Sequence, residues 1–151
     1  MNTGPNREAF RKQRLTDFIH RIWNKGDAEA AGDFIADSYT IHHDPGDPWE
    51  GMTLNLAGFR ERVVQSRAAF PDQCFDIQGV FANSDGLVLT WLWSGTHQAE
   101  LAGFAPTGKT VRMSGATAYF FDADDRLAGH WQVADRLGVF QQLQLNAQVD
   151  G

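Results

Sequence analysis

The main change in the hydrophobic period of this chain falls near Pro71, and no other feature limits the fold as strongly. Ahead of it, Leu15, Phe18, Ile19 and Ile22, then Leu56, Phe59, Val63 and Phe70, recur at the spacing of one helix face. Behind it, apolar runs are separated by turn residues. The first part predicts a helix over about 7–23, stopped by Asn24-Lys25-Gly26, and a shorter helix over 28–35 with Asp27 as its N-cap. A brief extended run, 39–43, is broken into a loop by Asp44-Pro45-Gly46-Asp47-Pro48. A third helix carries Leu56 to Phe70 and ends at Pro71. Strands are predicted over 74–81, 87–96, 111–121 and 127–134, joined by Asn83-Ser84-Asp85-Gly86, Thr107-Gly108-Lys109 and the reversal at 122–125. Asp135 is placed to cap a last short helix with Val139, Phe140 and Leu143 on its inner side. Helices followed by a long meander imply an α+β fold, a cone-shaped curved antiparallel sheet packed with three N-terminal helices. The 151 residues suit one domain over 1–151, with a core over about 7–143 and a polar tail.

A net charge of −6 argues against nucleic acid or an anionic membrane as partner, since phosphates need a basic face. The one basic cluster, Arg7, Arg11, Lys12 and Arg14, reads as the solvated side of a helix. A single cysteine, Cys74, excludes an intrachain disulfide and a Cys-based zinc site, and its strand setting predicts a small buried residue. His42, His43 and Asp44 are adjacent, but neighbours on a strand point to opposite faces, so no metal is expected. No signal-peptide pattern opens the chain and no apolar run approaches a membrane span, so a cytoplasmic protein is expected.

The run from Gly129 to Val133 alternates. As a strand it turns His130, Gln132 and Ala134 to one face and Trp131, Val133 and Asp135 to the other. Polar groups facing inward are costly to bury without partners, so the pattern predicts a lined pocket. The competing reading is a pair of hydrogen-bonded core residues. Trp91 and Trp93 share one strand face and, with Trp131, supply either core or the wall of a hydrophobic cavity.

His43-Asp44-Pro45, Ala69-Phe70-Pro71-Asp72, Trp91, Ser94-Gly95-Thr96-His97 and Gly103 follow one another along the chain. Pro106-Thr107-Gly108-Lys109, Ser114-Gly115, His130-Trp131, Asp135, Gly138 and Gln142-Leu143 complete the series. In order and spacing, and together with the opening amphipathic helix, this set resembles the SnoaL-like polyketide cyclase family, within the nuclear transport factor two-like cone fold. The resemblance implies a homodimer that works without metal or organic cofactor and closes a ring by intramolecular aldol condensation. That reaction needs a group that removes a proton beside a carbonyl and returns one to the new alkoxide. The family's aspartate for this task, two residues beyond the last-strand histidine, corresponds to Gln132, and a carboxamide cannot exchange a proton. The family's polar Gln and His fall on Thr117 and Tyr119, and a common Arg falls on Thr90.

The expected function is therefore that of a SnoaL-like enzyme acting on a hydrophobic, carbonyl-bearing small molecule by proton transfer, in a cyclisation, isomerisation or dehydration. His43 is the first candidate for the proton carrier, since it matches the family's pocket-side histidine, and His130 is the second. Gln132 and Tyr119 are expected to orient a carbonyl, with Thr117, Thr90, Trp91 and a rim residue, His97, completing the substrate contacts. Epoxide hydrolysis on this fold would need an inward Asp-Arg-Asp set, and none is identifiable. The alternative is a non-catalytic small-molecule-binding or dimerisation module that has lost its acid/base.

Overall fold

The computed structural model describes residues 4–149. Helix α1 (Gly4–Phe18) runs on into a π-helical turn, Ile19–Asn24, so the predicted first helix is continuous, and its stripe of Leu15, Phe18, Ile19, Ile22 and Trp23 is buried. The predicted second helix is only a short 3-10 segment, Ala28–Asp33. Asp27 does not cap it and instead pairs with Arg21 at 3.2 Å. Strand β1 (Ile35–His43) begins inside the predicted helix, because Ile35 pairs with Leu127 across the sheet and tertiary pairing outweighs a weak local preference. After β2 (Thr53–Leu54), helix α2 (Leu56–Arg67) starts where the Asn55 side chain accepts a 2.8 Å bond from the Gly58 amide. It ends ahead of Phe70, and Arg67 ties that end to the carbonyls of Trp23 (2.7 Å) and Pro71 (2.6 Å).

Strands β3 (Cys74–Ala82), β4 (Gly86–Thr96), β5 (Thr110–Phe121) and β6 (Leu127–Ala134) form the predicted meander, and α3 (Arg136–Val149) follows, capped by Asp135. The curved sheet has the order β2-β1-β6-β5-β4-β3. It is mixed rather than wholly antiparallel, because β1 returns alongside β6 in the same direction. Helices and the 3-10 segment cover the concave face. On β4, Leu87, Leu89, Trp91 and Trp93 point to that face, while Val88, Thr90 and Leu92 point away. Gly115 sits opposite Trp91, and a Cβ there would strike the indole, so the wide ring at 91 requires the glycine at 115.

Two expectations change here. Arg11 is buried rather than solvated, and Arg7 and Arg11 both bond Asp125 in the β5–β6 turn at 2.8 Å, tying α1 to the far end of the sheet. Cys74 is exposed rather than buried, because it opens the edge strand β3 with its side chain off the core face. No described helix is long and apolar enough to cross a membrane.

Candidate functional site

A cavity of about 560 Å³ opens between the concave sheet face, α2 and α3, within the roughly 300–1,000 Å³ range of small-molecule sites. Its walls are aromatic: Trp23, Trp49, Trp91 and Trp93 line it with Phe70 and Phe75. Its polar side is formed by Tyr39, Asp47, Arg62, Tyr119, His130, Gln132 and Arg136, contributed by strands, helices and the 44–50 loop.

Those polar groups are organised by one carboxylate set behind them. Asp44 has no exposed surface and accepts from His130 Nε2 (2.9 Å), Arg136 Nη1 (2.9 Å) and the Gln132 amide (3.2 Å), with Arg62 Nη2 at 3.5 Å. Burial alone would push the Asp44 carboxyl up, but the His130 hydrogen bond and the Arg136 charge hold it below the usual carboxylate range. Arg62 also pairs with Asp47 at 2.8 Å and lies against the Trp23 and Trp49 rings, at 5.2 and 5.9 Å. Asp44, Arg62 and Asp47 thus form the inward Asp-Arg-Asp set that sequence reading did not identify. Of its two carboxylates, Asp44 is ionised and sealed from the cavity, while Asp47 lines the cavity against Arg62.

His130 uses both ring nitrogens. Nε2 faces Asp44, and Nδ1 accepts from the Tyr39 hydroxyl at 2.7 Å. Burial lowers the imidazole pKa, against the opposing Asp44 hydrogen bond, so the ring is neutral at neutral pH. Desolvation raises the Tyr39 and Tyr119 hydroxyls, and both stay protonated. Tyr119 lines the cavity, and its hydroxyl makes no hydrogen bond to any described residue. Gln132 is fixed by a chain in which Trp91 Nε1 donates to Thr117 Oγ1 (2.9 Å) and Thr117 donates to Gln132 Oε1 (2.6 Å).

The sequence candidates separate accordingly. Trp91, Tyr119, His130 and Gln132 line the cavity, and Thr117 stands behind Trp91 and Gln132 as their hydrogen-bond bridge. His43 does not reach it. Ile41 pairs with His130 and His43 with Trp131, so a β-bulge inserts one residue into β1 and reverses its alternation. His43 therefore stacks on Trp131 on the outer face (centroids 4.5 Å apart), and Asp44 takes the inward place. Thr90 also points outward, at an even position of β4. His97 is fully buried against Phe70 beside the cavity rather than at its rim, its backbone held by Lys109 and Gly108. Among the described residues no group of three His, Cys, Asp or Glu could hold a metal ion.

Sequence reading missed Tyr39, Asp44, Arg62 and Arg136. Arg62 left one signal, a cation at i+3 from Phe59 and next to Val63 on the apolar face of a predicted helix. Asp44 left only its place in the His43-Asp44-Pro45 motif, since Asp-Pro-Gly-Asp-Pro otherwise reads fully as a turn.

The family model for SnoaL-like polyketide cyclases matches residues 13–143. The chain belongs to that family. A crystal structure of a candidate polyketide cyclase from Acidithiobacillus ferrooxidans is 53% identical, with a TM-score of 0.88 over 97% of this chain and all of that one. IdmH, a candidate polyketide cyclase from Streptomyces antibioticus, is 25% identical with a TM-score of 0.74, over 89% of this SnoaL-like chain and 98% of its own. AclR from Streptomyces galilaeus, described as a candidate hydroxylase, shares the fold at 22% identity and a TM-score of 0.73, over 91% of this chain and 97% of that one. No curated protein sequence matches.

Proposed function

We propose that this protein binds a hydrophobic, carbonyl-bearing small molecule in the cone and moves protons at the carbon beside the carbonyl, using its own side chains, in a cyclisation, isomerisation or dehydration. One observation carries the reading: a buried histidine on the wall of an aromatic cavity, with one ring nitrogen 2.9 Å from a sealed carboxylate. A base must be unprotonated before it reacts, and the imidazolium it becomes needs a fixed counter-charge, and His130 and Asp44 meet both needs. Tyr119 supplies a hydrogen bond to the carbonyl oxygen as it takes up negative charge. Gln132 holds Asp44 and shapes the wall, because its amide is already engaged at both ends.

The test is deuterium uptake at the α-carbon of a hydrophobic ketone, β-tetralone, in deuterium oxide, followed by NMR. The wild-type protein is expected to accelerate uptake, and His130→Ala to lower it by about 100-fold or more. A wild-type rate equal to buffer favours the non-catalytic binding module.

The homodimer belongs to the same proposal. On the outer sheet face Leu92, Trp131 and Val133 are 44–50% exposed, and Ala116 and Ala118, paired with Val133 and Trp131, join the last two into one apolar patch. A second copy is the occupant that this face suits, since a self-complementary apolar patch closes under two-fold symmetry. Sedimentation at micromolar concentration is expected to give a dimer, and Val133→Asp a folded monomer whose melting temperature is lower by the lost dimer stabilisation and no longer depends on concentration. A wild-type monomer overturns it.

A further inference from the structure

His130 lines the cavity, yet neither of its ring nitrogens is open to a ligand: Asp44 takes one and Tyr39 the other. Asp44 is sealed beneath them. Any proton that leaves a bound substrate for this group of residues must therefore pass through Tyr39. The Tyr39 oxygen gives its own proton to Nδ1 and accepts no hydrogen bond from a described residue; the side chain borders the cavity with only 1% of its surface exposed, so a substrate meets it only through that narrow opening.

We infer that Tyr39 is the catalytic residue that meets the substrate, at the head of a proton relay running from the Tyr39 hydroxyl through His130 to Asp44. The inference rests on the proton-transfer reading above and names the atom through which it works. It also places the acid/base of this chain on β1 rather than at the β6 position that Gln132 occupies.

The substrate α-proton moves to the Tyr39 oxygen while the Tyr39 proton moves to His130 Nδ1. The electron pair of the broken C–H bond becomes the enolate. Tyr39 ends neutral, His130 ends as an imidazolium donating from both nitrogens, and Asp44 keeps its negative charge and balances it. After the enolate carbon has attacked a second carbonyl, or the double bond has moved, the same two protons travel back and quench the alkoxide or the new carbanion. No external acid, base or oxidant is needed.

The surroundings suit this transfer. The Tyr39 ring stands edge-on to Phe59, with centroids 4.8 Å apart, which fixes the hydroxyl on Nδ1. Burial keeps Tyr39 protonated and His130 neutral, so at rest Tyr39 holds the proton it must give up and His130 Nδ1 has a lone pair to receive it. The Asp44 bond sets the tautomer with hydrogen on Nε2, which leaves Nδ1 as the acceptor.

Two measurements test the relay, using Tyr39→Phe, which keeps the ring and its packing. In protein with isotope-labelled histidine ring nitrogens, His130 is expected to show a protonated Nε2 and an unprotonated, hydrogen-bonded Nδ1. Tyr39→Phe should shift Nδ1 and leave Nε2 in place. A ring protonated at Nδ1, or an Nδ1 signal indifferent to Tyr39→Phe, overturns the relay whatever the protein does to a substrate. In the β-tetralone assay, Tyr39→Phe should slow uptake about 100-fold or more at unchanged probe affinity. Uptake at the wild-type rate in Tyr39→Phe overturns the relay and leaves the proton-transfer reading standing. A wild-type protein that leaves the probe at its buffer rate overturns that reading, and the catalytic role of Tyr39 with it.

Discussion

Asp44→Asn is expected to cost about 3 kcal/mol of stability at neutral pH, read as the change in urea unfolding free energy. Breaking a buried ion pair by removing one partner typically costs about 3–5 kcal/mol, because the charge left behind has lost both water and counter-ion. The low end applies here. Arg62 keeps its 2.8 Å bond to Asp47, and Arg136 is 33% exposed and can recover water. The isosteric amide keeps the packing, so the loss reports charge rather than volume. The pH dependence has a definite sign. Asp44 titrates below its unfolded value, so its contribution is present above the unfolded pKa and lost as pH falls through the folded one. Wild-type stability should fall below about pH 4, and Asp44→Asn should flatten part of that acid limb. The remainder belongs to Asp72 and Asp125, whose carboxyls are also held low: Asp72 by its bonds from Thr96, Asp125 by the Arg7 and Arg11 bonds that outweigh its burial. A loss below about 1 kcal/mol would show that the carboxylate does not organise the polar wall.

Gln132→Asp should behave in the opposite way. The Gln132 amide nitrogen lies 3.2 Å from Asp44 and its oxygen accepts from Thr117. A carboxylate in that place loses the donated bond and faces a second negative charge in a partly buried setting. Two carboxyls that share a site cannot both ionise readily, so one of them is pushed up. A carboxyl raised in the folded state weakens the fold as pH rises from its unfolded pKa through the folded one. The variant should therefore match the wild type near pH 4 and lose on the order of 3 kcal/mol by pH 8, since a tenfold change in proton affinity is worth about 1.4 kcal/mol. Adding Asp44→Asn should remove most of that slope, because the repelling charge is gone. If urea titrations of Gln132→Asp at these two pH values give the same loss, the proximity of 132 and 44 does not govern the site. Near that raised pKa the same variant carries a carboxyl able to take up and return a proton, at the position where the resemblance places the family aspartate, and gain of weak aldol cyclisation of a polyketide ester is the functional counterpart.

Much of this protein follows from local patterning. The helical stripe from Leu15 to Ile22, the turn residues that bound each strand, the Asp135 cap and the alternation that aims His130 and Gln132 inward are properties of neighbouring residues. So is the likeness to the SnoaL-like family, which is carried by short motifs. Each of these depends on side-chain period or a backbone bond within a few residues, and a linear chain displays such relations directly. Tertiary structure decided the rest. Period two assigns faces only along an unbroken ladder, and whether β1 carries a bulge is settled by its pairing with β6, some ninety residues away. That one inserted residue turned His43 outward and Asp44 inward. The polar wall is equally non-local: Tyr39, Asp44, Arg62, His130 and Arg136 come from β1, a loop, α2, β6 and α3. His130 apart, each of them alone reads as a turn, a solvated charge or a core residue, and only the closed cone makes a carboxylate without water a centre on which four donors must converge.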